Sequence, residues 1–200
     1  AILLNEASYE EVVEFAHKGA KVIHPVAVEI SHQAEIPLHI LSNFNKSAGT
    51  LVHNVKSYKP VTGVTSNDKI VFFKINGITS AADLLQELAI KSISLDMIDI
   101  QPGSLSFLVD SSYSRNLQTY FTANEHCFEV NENLSKISVV GSGMSGLPGV
   151  IARIASALQM RKIEIFKSMD SHTAISCLIL KENTKKAVET LHKEFNLEKL

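Results

Sequence analysis

Apolar residues recur along this chain with two different periods, and each change of period marks an element boundary. The segment ASYEEVVEFAHKG (7–19) carries Val12, Phe15 and Ala16 at helical spacing, with Ser8 placed to cap, Glu11 completing an S-x-x-E box and Gly19 ending the run. A second helix is predicted from Pro25, whose missing N–H falls where a first turn would leave it unpaired anyway. IPLHIL (36–41) then reads as a strand, SNFNKSAGTLV (42–52) as a polar, turn-rich loop entering another short strand, and HNVKSYKP (53–60) as a linker.

From about residue 68 the pattern repeats itself. Lys69-Ile70 aligns with Lys136-Ile137, LLQEL (84–88) with IASAL (154–158), and LSFLV (105–109) with ISCLI (175–179), and one gap keeps the apolar positions in register. The first unit reads strand (69–75), helix (80–92), strand (94–100), strand (104–110), helix (113–123), strand (126–130). The second reads strand (136–141), helix (148–160), strand (163–169), strand (173–180), helix (184–195), and the sequence stops where a last strand would begin. Each unit is βαββα(β), so the predicted class is α+β with tandem ferredoxin-like units behind a helical and stranded first segment. The predicted division is 1–57, 58–131 and 134–200.

Composition narrows the partners. Lys and Arg number 19 against 21 Asp and Glu, the net charge is -2, and no Lys/Arg-rich run occurs. Neither nucleic acid nor an anionic membrane is an expected partner; small molecules and protein are. Cys127 and Cys177 stand in apolar, strand-like contexts without CxxC or metal spacing, and are expected to be buried thiols in a reducing cytoplasm. No apolar run is long enough to span a bilayer and no leader pattern opens the chain, which begins with Ala and suits a piece of a longer protein. His17, His24 and His32 fall on two helical segments broken at Gly19 and Pro25, so no metal site is expected; nor has any Ser/His/Asp set a local signature.

The conspicuous motif is VVGSGMSGLPGV (139–150), which contains G-x-G-x-x-G at Gly141, Gly143 and Gly146. A dinucleotide fold requires the next strand to run parallel to the first, whereas here IFKSM is joined to TAISCLIL by DSH, a link short enough only for antiparallel strands. About thirty residues remain, too few for further βα units, and Leu147-Pro148 stands where a dinucleotide loop is already helical. Two readings of the loop stay open. It is a plain strand-to-helix turn, or its open helix start at Pro148 receives a carboxylate. The first unit closes the same connection with the shorter NGITSAAD, so the fold does not require the longer loop. There Ser80 caps and Asp83 occupies the first turn, a combination unfavourable to a carboxylate, and that unit is read as structural and dimer-forming.

Strand, M-x-x-x-P-G-V loop (Met144 to Val150), helix and strand pair in a tandem array resemble the paired ACT domains that bind amino acids in regulated biosynthetic enzymes. Residues 1–57, with GAKVIHP (19–25), IPL and SNFNKSAGT, resemble the end of the catalytic domain of aspartate kinases, Asn43 standing where serine is commoner. Within that family DSHTAI and the weak first repeat look most like the diaminopimelate- or lysine-regulated enzymes of Gram-positive bacteria. The resemblance implies that the parent enzyme transfers the γ-phosphoryl of ATP, with Mg, to the β-carboxylate of aspartate, and that this stretch holds no catalytic residue, since the phosphate-binding and aspartate loops have no counterpart in it. Of the family's nucleotide contacts only Lys21 and Val22 map here. Taken by itself, Lys21 reads as a solvated helix-end lysine.

The resemblance further implies an effector site between two ACT domains of a homodimer. Its residues here would be Met144, Ser145, Gly146, Leu147, Pro148, Gly149 and Val150, facing Ser168 and Asp170 for the ammonium groups. Lysine or diaminopimelate is the expected effector ahead of threonine; the alternative for Asp170 is a turn Asp bonding its own backbone. Related enzymes interleave their two units, so VTGVT (61–65) is expected to complete the second. A different class of function, a non-binding regulatory or assembly subunit that dimerises kinase chains, stays open beside the sensor.

Overall fold

The computed structural model describes residues 3–20, 22–44, 48–55, 60–144 and 147–198. The elements run β1 (Glu6–Ser8), α1 (Tyr9–His17), α2 (Pro25–Gln33), β2 (Leu38–Ile40), β3 (Thr50–His53), β4 (Gly63–Asn67), β5 (Ile70–Asn76), α3 (Ala81–Ile90), β6 (Asp96–Gln101), β7 (Ser104–Asp110), α4 (Ser114–Ala123), β8 (Cys127–Asn131), β9 (Leu134–Val140), α5 (Val150–Met160), β10 (Lys167–Asp170), β11 (Ala174–Leu180) and α6 (Thr184–Glu194). They divide into two compact units, one of residues 1–67 with 136–200, the other of 68–135.

In the unit of 68–135 the sheet order is β6-β7-β5-β8, with β5 antiparallel to both β7 and β8. Period-two alternation on β5 and β7 sends Phe73, Ile75, Leu105 and Phe107 to the face covered by α3 and α4, where Leu84, Leu88, Leu117 and Phe121 meet them. Ser80 caps α3 by accepting from the Asp83 amide at 3.2 Å, as its sequence position predicts.

The other unit holds two sheets. Its first residues form a three-stranded sheet, β1-β3-β2, with β1 parallel and β2 antiparallel to β3. Val12, Val28 and Val52 close a small core there with Ala7 and Tyr9. The capping box is complete: the Glu11 amide donates to Ser8 Oγ and the Ser8 amide to Glu11 Oε2. Pro25 opens α2 as expected. Its second sheet has the order β10-β11-β9-β4. Strand β4, expected at 61–65 and formed at 63–67, pairs antiparallel with β9, so a strand preceding the intervening unit in sequence completes this sheet. Ile137, Val139, Ile175, Cys177 and Ile179 face Ile154, Leu158, Ala187 and Leu191 of α5 and α6.

Three expectations change. Cys127 is exposed on β8, an edge strand, while Cys177 is buried; an apolar neighbourhood in sequence does not say whether a strand lies inside a sheet or at its edge. Strand 163–169 forms only over β10. Ile163 instead closes the end of α5 by donating its amide to Leu158 and turns its side chain into the core. Helix α5 starts at Val150 rather than Pro148, because Gly149 is left-handed at φ +92° and serves as its N-cap. No helix among the described residues is long and apolar enough to cross a membrane.

Candidate functional site

The loop between β9 and α5 and the turn between β10 and β11 meet at the same end of their sheet. Between them lies a cleft of about 600 Å³. Met144, Val150 and Ile175, each less than a tenth exposed, form its apolar floor. Leu147, Pro148, Gly149 and Ile151 make one wall, and Asp170, Ser171 and His172 the other. An apolar floor with a few polar groups at the rim is the usual build of a small-molecule site.

Each wall has a local cause. Leu147 donates its amide to the Met144 carbonyl at 3.1 Å, turning the chain before Pro148, and left-handed Gly149 then starts α5 without any side-chain cap. This start contrasts with that of α3, where Ser80 supplies an acceptor. The first-turn N–H groups of α5 carry the positive end of the helix dipole, and Gly149 as N-cap offers them no side-chain oxygen. On the opposite wall the Ser171 amide and hydroxyl both donate to the Ala174 carbonyl, at 2.8 and 3.0 Å, fixing the hairpin that presents Asp170. Register places Ser168 opposite Cys177 and Asp170 opposite Ile175, both core residues, so the two polar side chains share the helix-covered face of β10.

Of the residues singled out from sequence, Met144, Leu147, Pro148, Gly149, Val150 and Asp170 are brought together around the cleft. Ser168 lies two residues away on the same face, exposed and outside the lining. Ser145, Gly146 and Lys21 lie outside the described residues, and Val22 is 73% exposed beside the start of α2. The sequence reading passed over Ile151, Ser171, His172 and Ile175. Of DSH the sequence reading names only Asp170, and no spacing rule connects Ser171 or His172 to the glycine loop. Gly141 has a packing role: a Cβ there would stand 2.1 Å from the Pro60 carbonyl oxygen. Among the described residues no group of three or more His, Cys, Asp or Glu could hold a metal ion, and no step through a metal is assigned to this chain.

Known proteins repeat both the sequence and the arrangement. The ACT domain family matches residues 129–193. Aspartokinase 1 of Bacillus subtilis is 33% identical over 204 residues, 96% of this chain and 50% of that protein. The regulatory subunit of aspartate kinase from Thermus thermophilus superposes with a TM-score of 0.63 at 25% identity, covering 68% of this chain and 99% of that one. The chain belongs to the C-terminal regulatory region of the aspartokinases. An aspartokinase of Clostridium acetobutylicum, 19% identical, shares the fold at a TM-score of 0.84 over 97% of this chain and 49% of its own. The aspartokinase regulatory region seen here spans about half the length of the curated aspartokinases it matches, among them two of Bacillus subtilis.

Proposed function

We propose that this regulatory region binds an end-product amino acid in the cleft at the start of α5 and thereby sets the activity of an aspartate kinase. The observation that carries the reading is the pairing of an uncapped helix start with an acidic strand end across an apolar floor. An amino acid's α-carboxylate is received by the first-turn amides of α5, where a helix end contributes roughly 0.3–1 kcal/mol toward an anion. Its ammonium groups are received by Asp170 and, with a longer ligand, Ser168. A ligand with a second ammonium group far from the first matches this layout, which favours lysine or diaminopimelate over threonine.

On this reading the chain serves an enzyme that phosphorylates the side-chain carboxylate of aspartate with ATP and Mg, and the chain itself contributes no catalytic residue. Its ACT domains pair with those of a second copy. In support, β10 is an edge strand and its Met169 is exposed, an edge suited to continuation by another sheet.

Calorimetric titration of this chain with lysine, meso-diaminopimelate and threonine tests the reading, with sedimentation run in parallel. Saturable heat from lysine or diaminopimelate, weakened at least tenfold by Asp170→Asn, is the expected result, since a lost charge-assisted contact is worth about 1.5–3 kcal/mol. A folded dimer that gives heat with none of the three is instead an assembly module.

A further inference from the structure

We propose that Ser142 and Glu11 form the connection through which a ligand in the α5 cleft acts on helix α1. The proposal rests on the effector reading above and concerns how the occupied site is felt elsewhere. Glu11 is only 3% exposed. A carboxylate that has left water needs protein donors for its oxygens, and this one finds them in two places. Its Oε2 accepts from the Ser8 amide at 3.1 Å, within the capping box of α1, and its Oε1 accepts from Ser142 Oγ at 3.2 Å, 131 residues away in sequence. One side chain thus holds the start of α1 and the β9–α5 loop together.

The loop has little slack to absorb a displacement. The Gly141 amide donates to the Thr173 carbonyl at 2.9 Å, next to the wall made by Asp170, Ser171 and His172. Met144 donates back to Gly141 at 3.3 Å and Leu147 to Met144 at 3.1 Å, so the residues lining the cleft are bonded in series to the residue preceding Ser142. Gly141 itself cannot shift toward Pro60, whose backbone already occupies the space of a Cβ. Movement of Met144 or Leu147 is therefore taken up at Ser142, whose hydroxyl is bound to Glu11. The far end of α1 is held separately: Thr65 Oγ1 on β4 donates to the Lys18 carbonyl at 2.9 Å, and Gly63 lies under the Phe15 ring. Helix α1 is pinned to the sheet at its end and tied to the loop at its beginning, a layout in which loop movement tilts or frays its first turn.

Hydrogen exchange by mass spectrometry, read on α1 peptides of this chain with α3 peptides as a folding control, tests the connection in two arms. In the first, saturating lysine or diaminopimelate changes α1 exchange about fivefold, the scale of one hydrogen bond; Ser142→Ala removes that change without abolishing calorimetric binding, and Ser142→Thr, which keeps the hydroxyl, restores it. In the second arm, without ligand, Gly149→Ala strains the loop. It speeds α1 exchange in the parent chain and leaves α1 of the Ser142→Ala chain unaffected. A Gly149→Ala effect on α1 of equal size in both backgrounds, or of none in either, overturns the connection. Absence of ligand heat with a positive second arm defeats the effector reading while the connection stands.

Discussion

Gly141 and Gly149 belong to one loop and are glycine for opposite reasons. At Gly141 the backbone is ordinary and the space is missing; at Gly149 the space is open and the backbone is left-handed. Gly141→Ala forces a Cβ against the Pro60 backbone and is expected to cost at least about 3 kcal/mol. Gly149→Ala incurs only the strain of a positive φ, about 1 kcal/mol. Urea unfolding of the two variants checks the ranking, and equal costs would show that the loop relaxes. The cysteines divide in the same way. Burial raises the Cys177 thiol from 9.0 to about 11, so at pH 8 a thiol reagent is expected to modify exposed Cys127 rapidly and Cys177 only on unfolding. Both glycines were visible as a motif in sequence, but the reason for each depends on a neighbour that sequence spacing does not identify.

At the scale of elements, caps and breakers were legible because their partners lie within three or four residues. Ser8 with Glu11, Ser80 with Asp83, and Pro25 all act as their positions predict. Strand ends were less legible, since Ile163 and Ile165 alternate like strand residues yet serve the core beside α5. Contacts between helices were not legible at all. Tyr120 of α4 donates its hydroxyl to Glu87 of α3, with Lys91 4.5 Å over its ring. That hydrogen bond, with lesser contributions from burial and the Glu87 charge, raises the phenol from 10.0 to about 12. A folded pKa above the unfolded one means that the unfolded state loses this proton first, so the contribution is full below about pH 10 and disappears as pH rises through 12. One of the four tyrosines is therefore expected to titrate late in a phenolate absorbance titration. Glu87→Gln should bring it back toward 10.0, and an unchanged curve would deny the bond its role.

For the molecule as a whole, the decisive feature is that β4 precedes the unit of 68–135 in sequence yet completes the sheet of the other unit. A chain beginning at Asp68 is expected to keep the sheet of β5 to β8 with its aromatic core, while the sheet of β9 to β11 loses its β4 edge and the Val61 and Val64 packing. Hydrogen exchange should then show protection retained on β5 and β7 and lost on β9 and β11; equal protection of both would mean that three strands suffice. The sequence by itself determined the two βαββα units, their helices and caps, and the rejection of a dinucleotide loop, because periodicity, turn length and capping act over a few residues. Only the tertiary structure decided that Ser171, His172 and Ile175 line one cleft with the glycine loop, that Gly141 is held by Pro60, and that Ser142 reaches Glu11. Those pairings join residues far apart along the chain, and what selects them is the burial of groups that must find a partner or a space, a condition that no local pattern records.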